Sequence, residues 1–255
     1  MNKKLLGLVA LTAMASVAFS APADANHSWN GYHWARTANP FTIKLGDNVD
    51  SRWDASLSTA SSDWTKSTVL DTTILAGSTK PRNCRATLGR VEICNASYGS
   101  TGWLGIASIS ITGGTHITQG TVKLNDTYFN TAQYNTPAWR NMVTCQEIGH
   151  TFGLDHQDEN FNNANLGTCM DYTNDPSTNQ HPNTHDYDQL VTIYSHLDST
   201  STVGAAAPAS GGTRVGNAPR SWGHLTEGAR GHGVATYVRN LGGGSKTVTF
   251  VVWAS

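Results

Sequence analysis

The sequence has no excess of charge of either sign, and charged residues make up only 14% of it. Its 17 lysines and arginines are matched by 18 aspartates and glutamates, so the formal net charge at pH 7 is -1. Nucleic acids and anionic membranes attract proteins that carry a strong positive charge. We therefore expect no nucleic acid and no membrane among the main partners of this chain.

Apart from its first residues, the sequence has no apolar run that suits a membrane span. The N-terminal segment contains Lys3 and Lys4, an apolar stretch over residues 5–19, and the small-x-small sequence Ala23-Asp24-Ala25. This order is typical of a secretory signal peptide and its cleavage site. The apolar stretch is shorter than the roughly 20 residues that a membrane helix needs. We predict a signal peptide over residues 1–25 and a secreted, extracellular product.

Cysteine is scarce, and no two cysteines have the CxxC spacing of a zinc site. All four cysteines follow the predicted signal peptide: Cys84, Cys94, Cys145 and Cys169. An even number in an exported chain indicates two disulfides, for which three pairings exist. We favour Cys84 with Cys94, because the segment between them can form a hairpin, and Cys145 with Cys169.

Alternating and helical patterns of apolar residues divide the chain into a larger region and a small tail. Strands are predicted over residues 40–46, 68–75, 103–112 and 116–125, a hairpin over residues 82–97, and helices over residues 50–66, 137–153 and 185–197. Residues 154–184 are polar and predicted to be irregular, and residues 199–212 have the composition of a flexible linker. The tail, residues 213–255, is β-rich and either packs on the main domain or forms a small accessory sheet.

The most specific feature is the segment QEIGHTFGLDH over residues 146–156, which differs by one letter from the zinc-peptidase pattern HExxHxxGxxH. On a helix, Gln146 and His150 are one turn apart and can reach one ion. Gly153 lets the helix end in a left-handed turn, after which His156 supplies a third donor. We predict that these three donors bind one catalytic Zn²⁺ ion. Glu147 is the predicted general base, which takes a proton from the attacking water.

A second signature, Cys169-Met170-Asp171-Tyr172, follows the first and matches a Met-turn. Together the two resemble the metzincin zinc metallopeptidases, closest in layout to the matrixin-like members. The resemblance covers residues 27–198 and implies an α+β catalytic domain over residues 26–198, with a twisted mixed sheet, two long helices, the Met-turn and a C-terminal helix. It also implies that Met170 forms an apolar floor under the metal and that Tyr172 ligates zinc or stabilises the oxyanion. The expected function is that of a secreted, monomeric zinc-dependent endopeptidase.

Gln146 stands where the family has a histidine, and its neutral amide oxygen is a weaker zinc ligand than an imidazole. Two interpretations follow. We favour an active peptidase with a tolerated variant site, because Glu147 is intact; the alternative is a catalytically weak or inactive binding protein with the same fold. Calcium loops like those of the family are not recognisable, so a Ca²⁺ ion has no support. We expect an edge strand over residues 102–110 to bind extended peptide or protein substrates by strand addition.

Five of the remaining histidines have no partner at ligand spacing along the chain. We interpret His116 as an ordinary loop residue, and we give His181 and His185 no metal role although they follow the Met-turn closely in sequence. The five without such a partner are His27, His33, His196, His224 and His232.

Overall fold

The fold is built on one mixed β-sheet that takes strands from both halves of the chain. It is given by a computed structural model that describes residues 27–205 and 214–254. The strands are β1 (His33–Trp34), β2 (Phe41–Asn48), β3 (Leu70–Ala76), β4 (Arg90–Ala96), β5 (Trp103–Thr112), β6 (His116–Asn125), β7 (His224–Ala229), β8 (His232–Gly242) and β9 (Ser245–Trp253). The α-helices are α1 (Asp54–Trp64), α2 (Asp126–Phe129), α3 (Pro137–His150) and α4 (Thr184–Ile193). The predicted signal peptide and residues 206–213 lie outside the described residues.

The strand order shows how the two ends of the chain join. The strands follow one another as β3-β2-β4-β6-β5-β9-β8-β7, with β1 paired to β6. Strands β2, β3, β4 and β6 are parallel, whereas the pairs from β6 through β5 and β9 to β7 are antiparallel. The architecture is therefore α+β, with a large mixed sheet and few helices.

Two apolar cores lie on opposite faces of this sheet. The larger core contains apolar side chains of α1 and α3, among them Leu57, Trp64, Val143 and Ile148, packed with those of the sheet. The smaller core lies on the other face and is rich in aromatic residues: Tyr98, Trp103, Trp222, Tyr237 and Trp253. Successive side chains of a strand point to opposite faces, so β9 contributes Phe250 to the larger core and Val251 to the smaller one.

The C-terminal tail packs directly on the main domain. Strand β9 pairs with β5 along most of its length, with Ala107 opposite Phe250. On the other face, the buried Lys123 donates from Nζ to the carbonyl of Val215 at 2.5 Å. The expectation that residues 102–110 form a free edge for substrate is therefore wrong, because β9 occupies that edge of β5.

Other sequence predictions differ from the structure at particular elements. Residues 82–97 do not form a hairpin: only β4 is a strand there, and it pairs in parallel with β2 and β6. The last helix of the main domain ends at Ile193 and not at residue 197. Strand β7 was not predicted, because all its residues are exposed and give no alternating pattern. No described helix has the length and apolar character of a membrane span.

Two disulfides are present, and both join the cysteines that the sequence analysis pairs. Cys84 is bonded to Cys94, which ties the loop before β4 to the strand itself. Cys145 is bonded to Cys169, which ties α3 to the segment that precedes Met170. The loop before β4 and the segment before Met170 are therefore held covalently as well as by packing.

We predict that β9 is an integral part of the fold. Phe250 is 1% exposed and packs in the main core, whereas Leu241 in the same hairpin is 46% exposed. Phe250→Ala should lower the free energy of unfolding by about 3–5 kcal/mol because it leaves a cavity. The control Leu241→Ala should change it by less than about 0.5 kcal/mol. Denaturant titration of the full chain measures both, and equal losses in the two variants would contradict the prediction.

Candidate active site

Helix α3 starts and stops at residues that suit those positions. At its start, the Thr136 hydroxyl accepts a hydrogen bond from the backbone N–H of Trp139 at 3.2 Å, and Pro137 occupies the first turn. Beyond its end, Gly153 has a φ of 96°, in the left-handed region. A Cβ atom added to Gly153 would lie 2.0 Å from the carbonyl oxygen of Tyr32. Only glycine therefore lets the chain leave the helix in this direction.

The polar side chains of α3 that carry the motif are buried. Gln146 is 1% exposed, and Glu147 and His150 are fully buried. The Oε1 atom of Gln146 and both carboxylate oxygens of Glu147 make no hydrogen bond of normal geometry among the described residues. Burial raises the pKa of Glu147 well above its ordinary value, and the backbone N–H of Ala107 opposes this only in part. Buried polar atoms without a hydrogen-bond partner are uncommon in folded proteins and indicate a missing partner.

The two histidines of the motif face each other through the same ring atom. His150 Nε2 lies 2.9 Å from His156 Nε2. The other ring nitrogen of His150 donates to the carbonyl of Leu154 at 2.9 Å, which leaves a lone pair on Nε2. Burial lowers the pKa of both histidines well below the ordinary value. Both rings are therefore held neutral, which is the form of imidazole that binds a metal.

Tyr172 lies behind His156. Its hydroxyl is 2.8 Å from Nδ1 of His156, on the opposite side of the ring from Nε2. A hydroxyl in this place orients the imidazole, as the outer partners of metal-binding histidines commonly do. In this arrangement Tyr172 does not face the point between the two Nε2 atoms, so its predicted part in ligation or in oxyanion binding stays a prediction.

Met170 packs against the motif helix beside His150. A Cβ atom on Gly149 would lie 2.7 Å from the Met170 sulfur, so the absence of a side chain there allows this close approach. Met170 itself is fully buried, and its carbonyl accepts from the backbone N–H of Gln157 at 2.7 Å. The predicted apolar floor is compatible with this position.

Two residues that the motif does not include complete the walls of the site. Gly105 of β5 faces Glu147, and a Cβ there would lie 2.4 Å from Oε1 of the carboxylate. Phe250 of β9 stacks on the ring of His150, with centroids 4.5 Å apart and planes 3° from parallel. Nothing in the sequence marks Gly105 for this role. Phe250 lies in the tail that the sequence analysis describes only as β-rich, so the sequence did not place it at this site.

The residues at this site fit a bound zinc ion. Zinc in proteins is usually tetrahedral with nitrogen ligands at about 2.0–2.1 Å, which separates two such nitrogens by roughly 3.3 Å. The 2.9 Å between the two Nε2 atoms needs only a small displacement to reach that value. The amide oxygen of Gln146 is buried one helical turn before His150 and has no hydrogen-bond partner, so its chemistry suits a third zinc donor. The unpartnered carboxylate of Glu147 is available for a proton.

A cavity of about 510 Å³ opens beside Gln146 and Tyr172. Its wall is largely apolar and includes Trp139, Phe161, Val252 and Trp253. Residues of the segment after the Met-turn contribute to it, and so do residues of β8 and β9. The cavity therefore depends on the C-terminal tail for part of its lining.

Asp186 connects the Met-turn to α4. It is fully buried, accepts a hydrogen bond from the Thr168 hydroxyl, and forms a capping box with Asn183 at the start of α4. Its Oδ1 atom lies 3.6 Å from Nε2 of His27. Burial raises the pKa of Asp186 to about 6, and the hydrogen bond from Thr168 opposes this rise.

The chain has a weak structural similarity to a known protein. No family model matches the chain, and no curated protein matches it. Among solved structures, the chain is similar to the crystal structure of myroilysin, with a TM-score of 0.35 and 11% sequence identity over 64% of this chain and 86% of that one. A likeness this weak assigns no function, which depends on the residues of the site themselves.

We predict that Asp186 makes the stability of the protein depend on pH. A carboxyl whose pKa is higher in the folded than in the unfolded state stabilises the fold at low pH and loses this contribution as the pH rises through the folded value. A rise from 3.8 to about 6 corresponds to roughly 3 kcal/mol. Unfolding free energy should therefore fall between about pH 4 and pH 7, and Asp186→Asn should flatten this slope. An unchanged slope in urea titrations of the variant would count against this role.

Proposed function

We propose that the protein is a secreted metal-dependent endopeptidase that hydrolyses peptide bonds with the side chains of the 146–156 segment. The observation that carries this proposal is the pair of buried motif histidines, whose Nε2 atoms lie 2.9 Å apart. Helix α3 also buries the amide oxygen of Gln146, which has no hydrogen-bond partner. Leaving such atoms unpaired in a fold costs about 1–3 kcal/mol each, so a site that retains them has a use for them.

In this proposal Gln146, His150 and His156 hold one zinc ion. When bound, zinc would polarise the substrate carbonyl and lower the pKa of a water molecule. Glu147 takes a proton from the attacking water at its carboxylate and passes it to the amine that leaves. Tyr172 keeps His156 in the ring orientation that presents Nε2, while Gly105 leaves room for the carboxylate of Glu147.

The proposed substrate is a peptide or protein that presents an apolar side chain to the cavity. The cavity lies beside Gln146 and has aromatic walls formed by residues such as Trp139 and Phe161. Strand addition to β5 is not part of the proposal because β9 already occupies that edge.

Two contacts favour the alternative, a catalytically weak or inactive protein of the same fold. Phe250 lies flat against His150, and β9 covers the strand to which an extended substrate would add. Both contacts leave less room at the site. A non-catalytic protein would keep the fold without needing Glu147, and the Glu147→Gln variant tests this.

Secretion and the oligomeric state are part of the proposal. Two disulfides are typical of an oxidising compartment outside the cytosol. This agrees with the signal peptide predicted over residues 1–25. The proposed active form is a monomer.

We predict that one substitution at the site changes zinc affinity and that another abolishes most of the cleavage activity. Gln146→His should bind zinc at least tenfold more tightly, because imidazole is the better ligand. Glu147→Gln keeps the shape of the side chain but cannot take a proton, so casein cleavage should fall by about 10²–10⁴-fold. Metal analysis and casein hydrolysis of the purified full chain measure these effects.

Two matched control variants test whether the changes in zinc affinity and cleavage are specific to Gln146 and Glu147. Gln133→His adds a histidine at an exposed position, and Asp54→Asn changes an exposed carboxylate in α1. Neither should alter zinc affinity or cleavage. Cleavage that persists unchanged in Glu147→Gln would reject the peptidase mechanism and leave the non-catalytic alternative.

We also predict a preference for apolar side chains next to the cleaved bond. Phe161 lines the cavity and stacks on Tyr172, with ring centroids 5.2 Å apart. Phe161→Ala should reduce kcat/KM for peptides with leucine or phenylalanine at that position by about tenfold. The exposed control Leu197→Ala should have no effect. The peptide series should also contain peptides with aspartate or lysine at that position. Equal kcat/KM values for the charged and the apolar peptides would contradict the assignment.

A further inference from the structure

Three groups of histidine and carboxylate side chains among the described residues bring ligand atoms within 4.8 Å of one another. The group Asp155, His156 and Glu159 shares a histidine with the candidate active site and belongs to it. In the second group, His27, His185 and Asp186, the two imidazoles are stacked at 4.8 Å and only 12° from parallel. Lone pairs of parallel, stacked rings do not converge on one point. The third group is His33, His196 and Asp198.

The third group has the geometry that a chelating site requires. The Nε2 atoms of His33 and His196 are 3.2 Å apart, and their ring planes are 88° from parallel. Asp198 Oδ1 lies 3.5 Å from Nε2 of His33 and 3.8 Å from Nε2 of His196. Ligands of a tetrahedral zinc ion are separated by roughly 3.3 Å, so these distances are close to those of a loaded site.

A fourth donor lies beside this group. His116 Nε2 is 3.2 Å from the same oxygen of Asp198, and its ring meets that of His33 at 82°. His33 and His116 are opposite each other in the parallel pairing of β1 and β6. The sheet therefore fixes the spacing of two imidazoles before the chain after α4 brings in His196 and Asp198.

Outer contacts orient the proposed ligands. His33 Nδ1 is 2.7 Å from the carbonyl of Gly31, to which it donates, so its Nε2 carries a lone pair. The buried Arg36 binds the other oxygen of Asp198 at 2.9 Å and leaves Oδ1 turned toward the imidazoles. Arg36 also donates to the carbonyl of His196, which holds the 196–198 segment in place. Metal sites in proteins are commonly supported in this way.

We propose that His33, His196 and Asp198, with His116 as a fourth ligand, bind one zinc ion in a site separate from the 146–156 segment. Imidazole nitrogens with one carboxylate oxygen suit zinc, whereas calcium and magnesium prefer sites made of oxygen atoms. The ion fastens the segment after α4 to β1 and β6, so its role is structural. His196 is the most exposed of the four and lies at the entrance for the ion, with half of its side chain open to solvent.

Zinc titration of the full chain tests this site. The protein is first stripped with a chelator, and ZnCl₂ is then added in competition with a chromophoric chelator. His196→Ala should lose one zinc equivalent or weaken its binding at least tenfold, because it removes one imidazole ligand. His224→Ala, which changes an exposed histidine outside the group, should match the native chain. His156→Ala reports on the proposed active site and should leave this equivalent intact, so the two proposals fail independently.

Two results would overturn the proposal. One is zinc binding by His196→Ala with the same stoichiometry and affinity as the native chain. The other is the absence of an anomalous peak among His33, His196 and Asp198 when crystals of the native chain are soaked in ZnCl₂ and measured at the zinc absorption edge. This second test uses the native chain alone, so it does not depend on whether the variant folds. A peak at that position, together with loss of one equivalent in His196→Ala, is the expected result.

Discussion

The close packing of α3 against β5 and β9 is the constraint on which the candidate active site depends. It places Gln146, Glu147 and His150 in a water-poor interior, where a polar atom without a partner is costly. Glycines make the approach close enough: Gly105 faces the carboxylate of Glu147, and Gly149 admits the sulfur of Met170. The fold thus buries three polar side chains of one helix, and the amide oxygen of Gln146 among them has no hydrogen-bond partner.

The C-terminal tail is part of this constraint. Strand β9 extends the sheet beyond β5, and its side chains alternate between the two cores, so removing it from β5 would expose apolar surface on both faces. Through Phe250 the tail also touches a predicted metal ligand directly. The tail therefore extends the sheet and also forms part of the wall of the candidate site.

Local sequence signals predicted the elements that local interactions determine. The predicted start of α3 at residue 137 is confirmed, and Thr136 caps it there. Gly153 was predicted to allow a left-handed turn after the helix, and its positive φ confirms this, because such turns restrict which residues fit. The hairpin prediction for residues 82–97 failed for a different reason. Cys84 and Cys94 are close enough in sequence for a hairpin, but β4 is satisfied by parallel partners on both sides, β2 and β6, which are distant in sequence.

The sequence by itself indicated Gln146, His150 and His156 as candidate donors, and one helix and one turn are enough to bring the two histidines within 2.9 Å of each other. Only the tertiary structure decided that β9 would cover β5 and that His33, His116, His196 and Asp198 would meet. Those four residues lie on β1, on β6 and beyond α4, and no spacing along the chain relates them. Their meeting depends on strand register and on the path of the chain after α4, which are set by the packing of the whole domain.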